Sequence, residues 1–150
     1  MKPFNHVLGK VYIGSLFALS QPDALHAAGI TSVLKLTRSS FGDEKPFTVL
    51  DLAFPDGWLI PDGYLRRGID FVRGEEAEGR GVVILCAAGI SRSATFTLAY
   101  LVESGYDLHE AFVHLRGCRP IVSPHPALWL SLLQFFDHPY SLDDVLSWER

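Results

Sequence analysis

Apolar and polar positions alternate in blocks along this chain, and the blocks predict strands and helices that follow one another in turn. Short apolar runs of the length of buried strands predict strands at 11–14, 31–36, 48–53 and 82–86. Apolar residues at helical spacing predict helices at 22–29, 61–78, 91–104, 107–117 and 128–136, with a last short helix after Ser141. This alternation predicts an α/β fold with a mostly parallel central sheet.

Polar residues at the ends of these blocks indicate where the helices begin. Ser20 is predicted to cap the first helix, and Asp62 to cap the helix of 61–78. Asp107 is a predicted cap for the helix that follows it. The segment 91–104 is apolar nearly all round, so we expect it to be the central buried helix.

The composition fits one folded domain over residues 1–150. Hydrophobic residues make up 48% of the chain and charged residues 20%, which is typical of a globular protein with a real core. We therefore expect a single domain with a sheet of about four or five strands and helices on both faces. A polar segment with Gly42 and Asp43 is predicted to be a loop between two of the strands.

Charge and cysteine content exclude several classes of partner. The net charge of −4, without a basic block, argues against nucleic acid and anionic membranes as partners. No apolar run approaches the roughly 20 residues of a membrane span, and the start of the chain lacks the apolar core of a signal peptide. Two cysteines fit a reducing compartment. These features predict a cytoplasmic protein, which we expect to be a monomer.

The most informative segment runs from Cys86 to Ser93, between the predicted strand 82–86 and helix 91–104. A strand-to-helix turn points several N–H groups at one spot, and the helix N-terminus adds partial positive charge, so the turn can bind an oxyanion. The predicted phosphate-binding residues are Ala87, Ala88, Gly89, Ile90, Ser91 and Arg92.

Individual residues of this loop have predicted roles. Gly89 can adopt a backbone angle that a side chain opposes, so that the loop closes round the anion. Arg92, six positions after Cys86, offers a planar fork that matches two phosphate oxygens. The positive field favours the thiolate of Cys86, the nucleophile, and Ser93 can donate a hydrogen bond to the departing sulfur. A buried structural cysteine beside an ordinary turn is the alternative, and the strand, glycine and helix together argue against it.

The pattern Cys-x5-Arg-Ser after a hydrophobic strand resembles the signature of the cysteine-dependent protein tyrosine phosphatases. Its Cys-x-Ala-Gly-x-Ser-Arg-Ser form resembles the small, atypical dual-specificity branch. Three further segments are similar to the family's opening strand, to its first helix with the following strand, and to the segment behind the phosphate loop: 11–15, 24–34 and 119–124. The resemblance implies a protein tyrosine phosphatase-like fold, a phosphocysteine intermediate, and no cofactor or metal.

One position departs from the family pattern. The family usually has histidine directly before the cysteine, where it orients the loop and favours the thiolate, and here that position is Leu85. Because the cysteine, arginine and serine remain, we expect reduced rather than absent activity.

The leaving oxygen needs a proton, and a carboxylic acid on a nearby loop is the usual donor. Asp56 is the candidate, because it follows the predicted strand 48–53 in a context similar to that of the family's acid. Parallel strands end at the same edge of a sheet, so Asp56 should lie beside the phosphate loop. Asp51, inside the strand, and Asp62 are its rivals, and a plain Asp-Gly turn is the alternative without chemistry.

Two other residues are predicted substrate contacts. Arg38 follows the strand 31–36 and can contact a second acidic group of the substrate, unless it is an ordinary solvated arginine. Trp58 can flank the substrate or simply pack its own loop. Arg119 is expected to support the phosphate loop or to pair with an acid.

These predictions converge on a protein tyrosine or dual-specificity phosphatase that acts on a phosphorylated protein or peptide. Lipid phosphatases of the superfamily usually place lysines in the loop, and positions 87, 88, 90 and 91 are neutral here. Relatives that act on RNA 5′-phosphates would carry a more basic surface. The alternative from a different class is a phosphate-binding pseudophosphatase with weak or no turnover, which Leu85 motivates.

Overall fold

The computed structural model describes residues 2–40 and 44–150, so the predicted loop residues Gly42 and Asp43 lie outside this part of the chain. The strands are β1 (Phe4–Leu8), β2 (Val11–Ser15), β3 (Ile30–Lys35), β4 (Thr48–Asp51) and β5 (Gly81–Cys86). The helices are α1 (Pro22–Ala27), α2 (Tyr64–Ala77), α3 (Arg92–Glu103), α4 (Leu108–Cys118), α5 (Pro126–Phe135) and α6 (Leu142–Ser147), and a 3₁₀ turn covers Leu16–Ser20. None of the described helices has both the length and the apolar character that crossing a bilayer requires.

The strands form one sheet in the order β1-β2-β5-β3-β4. The four strands β2, β5, β3 and β4 pair in parallel, and β1 pairs with β2 in antiparallel fashion. The predicted α/β class and mostly parallel sheet are therefore confirmed. Because parallel strands share a carboxyl edge, the loops after β2, β3, β4 and β5 all begin at one side of the molecule.

Apolar side chains fill the space on both faces of the sheet. The larger core contains the buried faces of α2 to α6, with α3 at its centre, as its all-round apolar sequence predicts. The smaller core lies on the other face, where the 3₁₀ turn and α1 cover β3 and β5. Side chains alternate along β5, so Cys86 faces the larger core and Leu85 the smaller one.

The pattern of apolar positions did not predict β1. Among its five residues Val7 alone is fully buried, and Asn5 and His6 are polar, because the strand lies at the edge of the sheet. An edge strand buries little surface, so its sequence lacks the apolar run that reveals an interior strand.

Two of the predicted helix caps are wrong and one is confirmed. Ser20 ends the 3₁₀ turn, where its hydroxyl donates to the Phe17 carbonyl at 2.7 Å instead of capping α1. Asp62 makes no cap either, because α2 begins after Gly63, whose φ of 81° turns the chain into the helix. The Asp107 carboxylate does cap α4, accepting hydrogen bonds from the N–H groups of His109 and Glu110.

Candidate active site

The segment that carries the predicted nucleophile connects the middle of the sheet to the buried helix. Cys86 is the last residue of β5, whose six residues are all buried, and Arg92 is the first residue of α3. The loop 87–91 between them, called the phosphate loop below, is therefore held at both ends by buried elements of the fold.

Four consecutive carbonyls of the phosphate loop accept hydrogen bonds from outside the loop. The backbone N–H of Leu16 donates to Ala87 O at 3.2 Å, and that of Ser123 donates to Ile90 O at 2.8 Å. The guanidinium of Arg119 donates to the two carbonyls between them, from Nη2 to Ala88 O at 3.2 Å and from Nε to Gly89 O at 2.8 Å. In a trans peptide the next N–H points away from the carbonyl, and no described peptide bond is cis. The N–H groups of residues 88–91 therefore point away from these donors, which is the arrangement of an anion-binding nest.

Gly89 meets two separate requirements of the loop. Its φ is 70°, a left-handed conformation that side chains oppose. A Cβ at this position would also lie 2.7 Å from the carbonyl carbon of Gly14 and 2.7 Å from Nη2 of Arg119. Both the backbone angle and the space available demand glycine here.

Arg119 supports the loop and has no acidic partner among the described residues. It is 2% exposed, and Nη1 donates to Lys2 O and to Asn5 Oδ1 at 2.8 Å each, beside its bonds to the loop. Burial lowers the pKa of Arg119, and the nearby Cys86 thiolate opposes that shift. A buried cation, held by hydrogen bonds to Ala88 O and Gly89 O, thus lies against the phosphate loop.

Arg92 is anchored on one side and open on the other. Its Nη1 donates to Phe54 O at 2.8 Å and to Leu36 O at 3.1 Å, which ties it to the chain after β4 and β3. Its Nε is buried and has no hydrogen-bond partner among the described residues. A buried donor without a partner is costly, so an oxygen of a bound anion would satisfy it.

Ser93 lies directly beside the sulfur. Its hydroxyl oxygen is 3.1 Å from Cys86 Sγ, and its side chain is fully buried in the first turn of α3. The hydroxyl can therefore share a proton with the sulfur without competition from water.

Asp56 and the phosphate loop are connected through Ser91. The Ser91 hydroxyl donates to Asp56 Oδ1 at 2.9 Å and accepts from the N–H of His125 at 2.9 Å. Asp56 Oδ1 also accepts from the N–H of Gly57 at 2.9 Å. Because its hydroxyl serves Asp56, Ser91 does not cap α3, and the first N–H groups of that helix stay available to a ligand.

Four of these residues, Asp56, Cys86, Ser91 and Arg92, line one cavity of about 460 Å³, called the catalytic cavity below, whereas Ser93 and Arg119 do not line it. It is lined by Asp56, Cys86, Ala87, Ala88, Ile90, Ser91, Arg92, Ser123, Pro124, His125, Pro126 and Glu149. The rivals of Asp56 lie elsewhere. Asp51 is exposed at the end of β4 and accepts from Ala53 N–H, and Asp62 lines a separate cavity between α2 and α5.

Arg38 and Trp58 do not line the catalytic cavity. Both are exposed, Trp58 with 68% of its surface accessible. A contact of either residue with substrate stays a prediction.

Two residues of the catalytic cavity were not predicted from the sequence. The Nδ1 atom of the His125 ring accepts a hydrogen bond from the N–H of Ala127, so the ring proton is on Nε2. This Nε2 atom lies 3.5 Å from the position that a Cβ at Gly57 would occupy. The ring thus packs against the turn that carries Asp56. The Glu149 carboxylate accepts from Ser123 Oγ and from Trp129 Nε1. The pair His125-Pro126 carried a helix-cap signal, whereas no local signal indicated Glu149.

The position before the nucleophile is purely apolar. Leu85 is fully buried in the smaller core, and its Cδ2 lies 3.1 Å from where a Cβ at Gly14 would be. Its side chain is on the opposite face of the sheet from Cys86, so it packs under the loop but cannot hydrogen-bond to it.

Comparison with known proteins identifies the family. The family model described as dual specificity phosphatase, catalytic domain, matches residues 11–138. The chain belongs to the dual specificity phosphatase family. Its membership of the cysteine-dependent protein tyrosine phosphatases, predicted from the motif, is thereby confirmed. Asp56 and the phosphate loop lie inside the matched stretch, whereas β1 and Glu149 lie outside it.

Curated members of the dual specificity phosphatase family are longer than this chain. Dual specificity protein phosphatase 1-B of Xenopus laevis is 33% identical over 132 residues, which are 86% of this chain and 36% of that protein. Dual specificity protein phosphatase 2 of Mus musculus is 34% identical over 131 residues, which are 85% of this chain and 41% of that protein. The chain thus spans well under half the length of these relatives.

Solved structures of the family share the fold. DUSP15 has a TM-score of 0.81 at 25% identity, over 88% of this chain and 86% of that chain. Human DUSP28 has a TM-score of 0.77 at 23% identity, over 98% of this chain and 97% of that chain. The second likeness is evidence for the fold alone.

Proposed function

We propose that this dual specificity phosphatase domain hydrolyses phosphomonoesters of proteins or peptides through a phosphocysteine intermediate. One observation carries the proposal: a buried sulfur lies at the base of the phosphate loop, and four of the five carbonyls of that loop are turned to outside donors. Arg92, whose buried Nε has no hydrogen-bond partner among the described residues, and Asp56 line the same cavity.

In the first step, the Cys86 thiolate attacks phosphorus, and the sulfur–phosphorus bond forms as the bond to the leaving oxygen breaks. The loop N–H groups and Arg92 hold the non-reacting oxygens. Asp56, protonated, gives its proton to the leaving oxygen, so that an alcohol or phenol departs. The hydrogen bond from Ser91 holds the Asp56 carboxyl at the mouth of the loop.

In the second step, water attacks the phosphocysteine. Asp56, now ionised, takes the proton of the water, and the phosphorus–sulfur bond breaks to release inorganic phosphate. The departing sulfur gains negative charge. The Ser93 hydroxyl, 3.1 Å away, stabilises that charge by donating a hydrogen bond.

The proposed substrate is phosphotyrosine in a protein, with phosphoserine or phosphothreonine also accepted. The names of the curated relatives support this breadth, since each is a dual specificity protein phosphatase. We also propose a monomer in the cytoplasm, because the mechanism requires Cys86 to stay a reduced thiol. The acidic net charge of −4 supports neither nucleic acid nor membrane as a partner.

Turnover of a small aryl phosphate tests the proposal, with Cys86→Ser as the control. We expect release of phosphate by the natural chain, none by the variant, and a phosphocysteine at position 86 after acid quench. Binding of phosphate without turnover by the natural chain would instead assign a pseudophosphatase.

A further inference from the structure

A second cavity, of about 520 Å³, lies against the phosphate loop. It shares Ala88 and Ile90 with the catalytic cavity, so these two residues form the wall between them. The other residues that matter to its chemistry are Lys2, Pro3, Phe17, Gln21 and Ile121. The two cavities therefore adjoin each other at Ala88 and Ile90.

The lining of the second cavity suits an apolar group. Pro3, Phe17, Ile90 and Ile121 supply aliphatic and aromatic surface. Arg119 also lines it, but its guanidinium already donates to three main-chain carbonyls and to Asn5 Oδ1. A cation whose donors are engaged in this way is not built to receive a second phosphate.

Phe17 is the large exposed apolar side chain of this cavity. Its surface is 57% accessible, although it lies two residues after the end of β2 and both of its neighbours in the chain are buried. Large exposed apolar side chains beside a polar site often mark a binding surface. The catalytic cavity differs in character, because its lining includes the polar residues His125 and Glu149.

We propose that the second cavity is a substrate subsite that binds an apolar side chain next to the phosphorylated residue. The occupant is the phosphopeptide whose phosphate lies in the catalytic cavity, so this inference rests on the proposed function. The Cα atoms of consecutive peptide residues are about 3.8 Å apart. A side chain next to the phosphorylated residue of the peptide can therefore extend past Ala88 and Ile90 into the second cavity. Because the apolar cavity lies on one side of the loop, the preference is confined to one side of the phosphorylated residue.

A series of phosphotyrosine peptides tests the subsite. In an alanine background, leucine, phenylalanine or aspartate is placed at each of the three positions on either side of phosphotyrosine, and kcat/KM is measured. We expect leucine or phenylalanine to exceed alanine by about tenfold at one position on one side, through a lower KM. Aspartate at that position should be no better than alanine.

The variant Phe17→Ala, with Val113→Ala as the matched control, locates the preference. Val113 is 59% exposed, but it lies on α4 away from both cavities. We expect Phe17→Ala to reduce the ratio of the leucine to the alanine peptide to about twofold or less, and Val113→Ala to keep it. An unchanged ratio in Phe17→Ala, or equal rates for all peptides, overturns the subsite.

Two readouts separate this inference from the proposed function. Turnover of an aryl phosphate, which is too small to reach the second cavity, reports on the chemistry alone. Affinities of the same peptides for the Cys86→Ser form report on the subsite alone. If the aryl phosphate is not turned over, tighter binding of the leucine peptide that is lost in Phe17→Ala still supports the subsite. Equal binding of the leucine and alanine peptides overturns the subsite.

Discussion

At the scale of single residues, Ser91 connects three parts of the site that are far apart in the sequence. Its hydroxyl is a donor to Asp56 and an acceptor for the N–H of His125, so the acid, the phosphate loop and the start of α5 are fixed relative to one another. A serine in the motif is visible in the sequence, but the direction in which its hydroxyl points is not.

Asp56→Asn tests the acid role directly. The amide cannot give up a proton, so we expect turnover to fall by about 10²- to 10⁴-fold for alkyl phosphates and much less for aryl phosphates with acidic phenols. The measurement is kcat/KM across leaving groups of graded pKa. The matched control is Asp51→Asn, since that carboxylate is exposed and lies outside the catalytic cavity. An equal loss at every leaving group would contradict the role.

Arg119→Lys tests the support of the phosphate loop. Lysine keeps the charge but cannot bond to Ala88 O and Gly89 O in the planar arrangement of a guanidinium. We expect the free energy of unfolding to fall by about 1–3 kcal/mol per carbonyl left unpaired, and the affinity for inorganic phosphate to fall with it. Urea unfolding and phosphate titration measure the two.

The exposed Arg67, which lies over the Tyr64 ring, supplies the control, since Arg67→Lys should change neither quantity. Normal phosphate affinity in Arg119→Lys would show that the loop keeps its shape without the guanidinium.

At the scale of elements, caps and contacts between helices hold the frame behind the site. The Asp107 carboxylate caps α4 and also accepts from the hydroxyl of Tyr140 at 2.8 Å. The Tyr140 hydrogen bond, followed by the N–H groups of α4, holds the pKa of Asp107 below its usual value. A lowered pKa means that this stabilisation is present above the unfolded pKa and is lost as pH falls through the folded one.

Asp107→Asn therefore has an effect that depends on pH. Asparagine is itself a good cap, so the variant removes the charge and weakens the Tyr140 contact. We expect the variant to be less stable by roughly 0.5–1 kcal/mol near neutral pH, and the difference to shrink once Asp107 is protonated. Urea unfolding of both chains at pH 7 and pH 3 checks this. A difference in the free energy of unfolding that is larger at pH 3 than at pH 7 would contradict this prediction.

At the scale of the whole molecule, several carboxylates make acid the condition that unfolds the domain. The pKa of Glu75 is lowered chiefly by the hydrogen bond from Arg80, and that of Glu103 chiefly by the hydrogen bond from Arg66. These partners favour the ionised form, so the stability is present above the unfolded pKa of about 4.3 and disappears as pH falls through the folded values.

Glu75→Gln tests this loss of stability in acid at the most buried of these carboxylates. The Glu75 carboxylate also accepts from Ser32 Oγ at 2.7 Å, which joins α2 to the sheet. We expect the variant to be less stable at neutral pH and to lose less stability than the natural chain between pH 6 and pH 3. Thermal unfolding across that range is the measurement. The exposed Asp137 gives the control, because Asp137→Asn leaves the ion pair between Glu75 and Arg80 intact.

The sequence by itself determined the α/β class, the central buried helix and the position of the loop that joins β5 to α3. Those depend on local order: a strand, a glycine and an arginine within a few positions, and apolar residues repeated at a fixed spacing. Tertiary structure alone decided what surrounds the sulfur. Arg119 and Glu149 reach the site from distant segments of the chain. The strand β1 lies at the edge of the sheet and buries little surface, and Ser20 and Asp62 do not cap helices. Such contacts are fixed by how elements pack together, and no spacing along the chain records that.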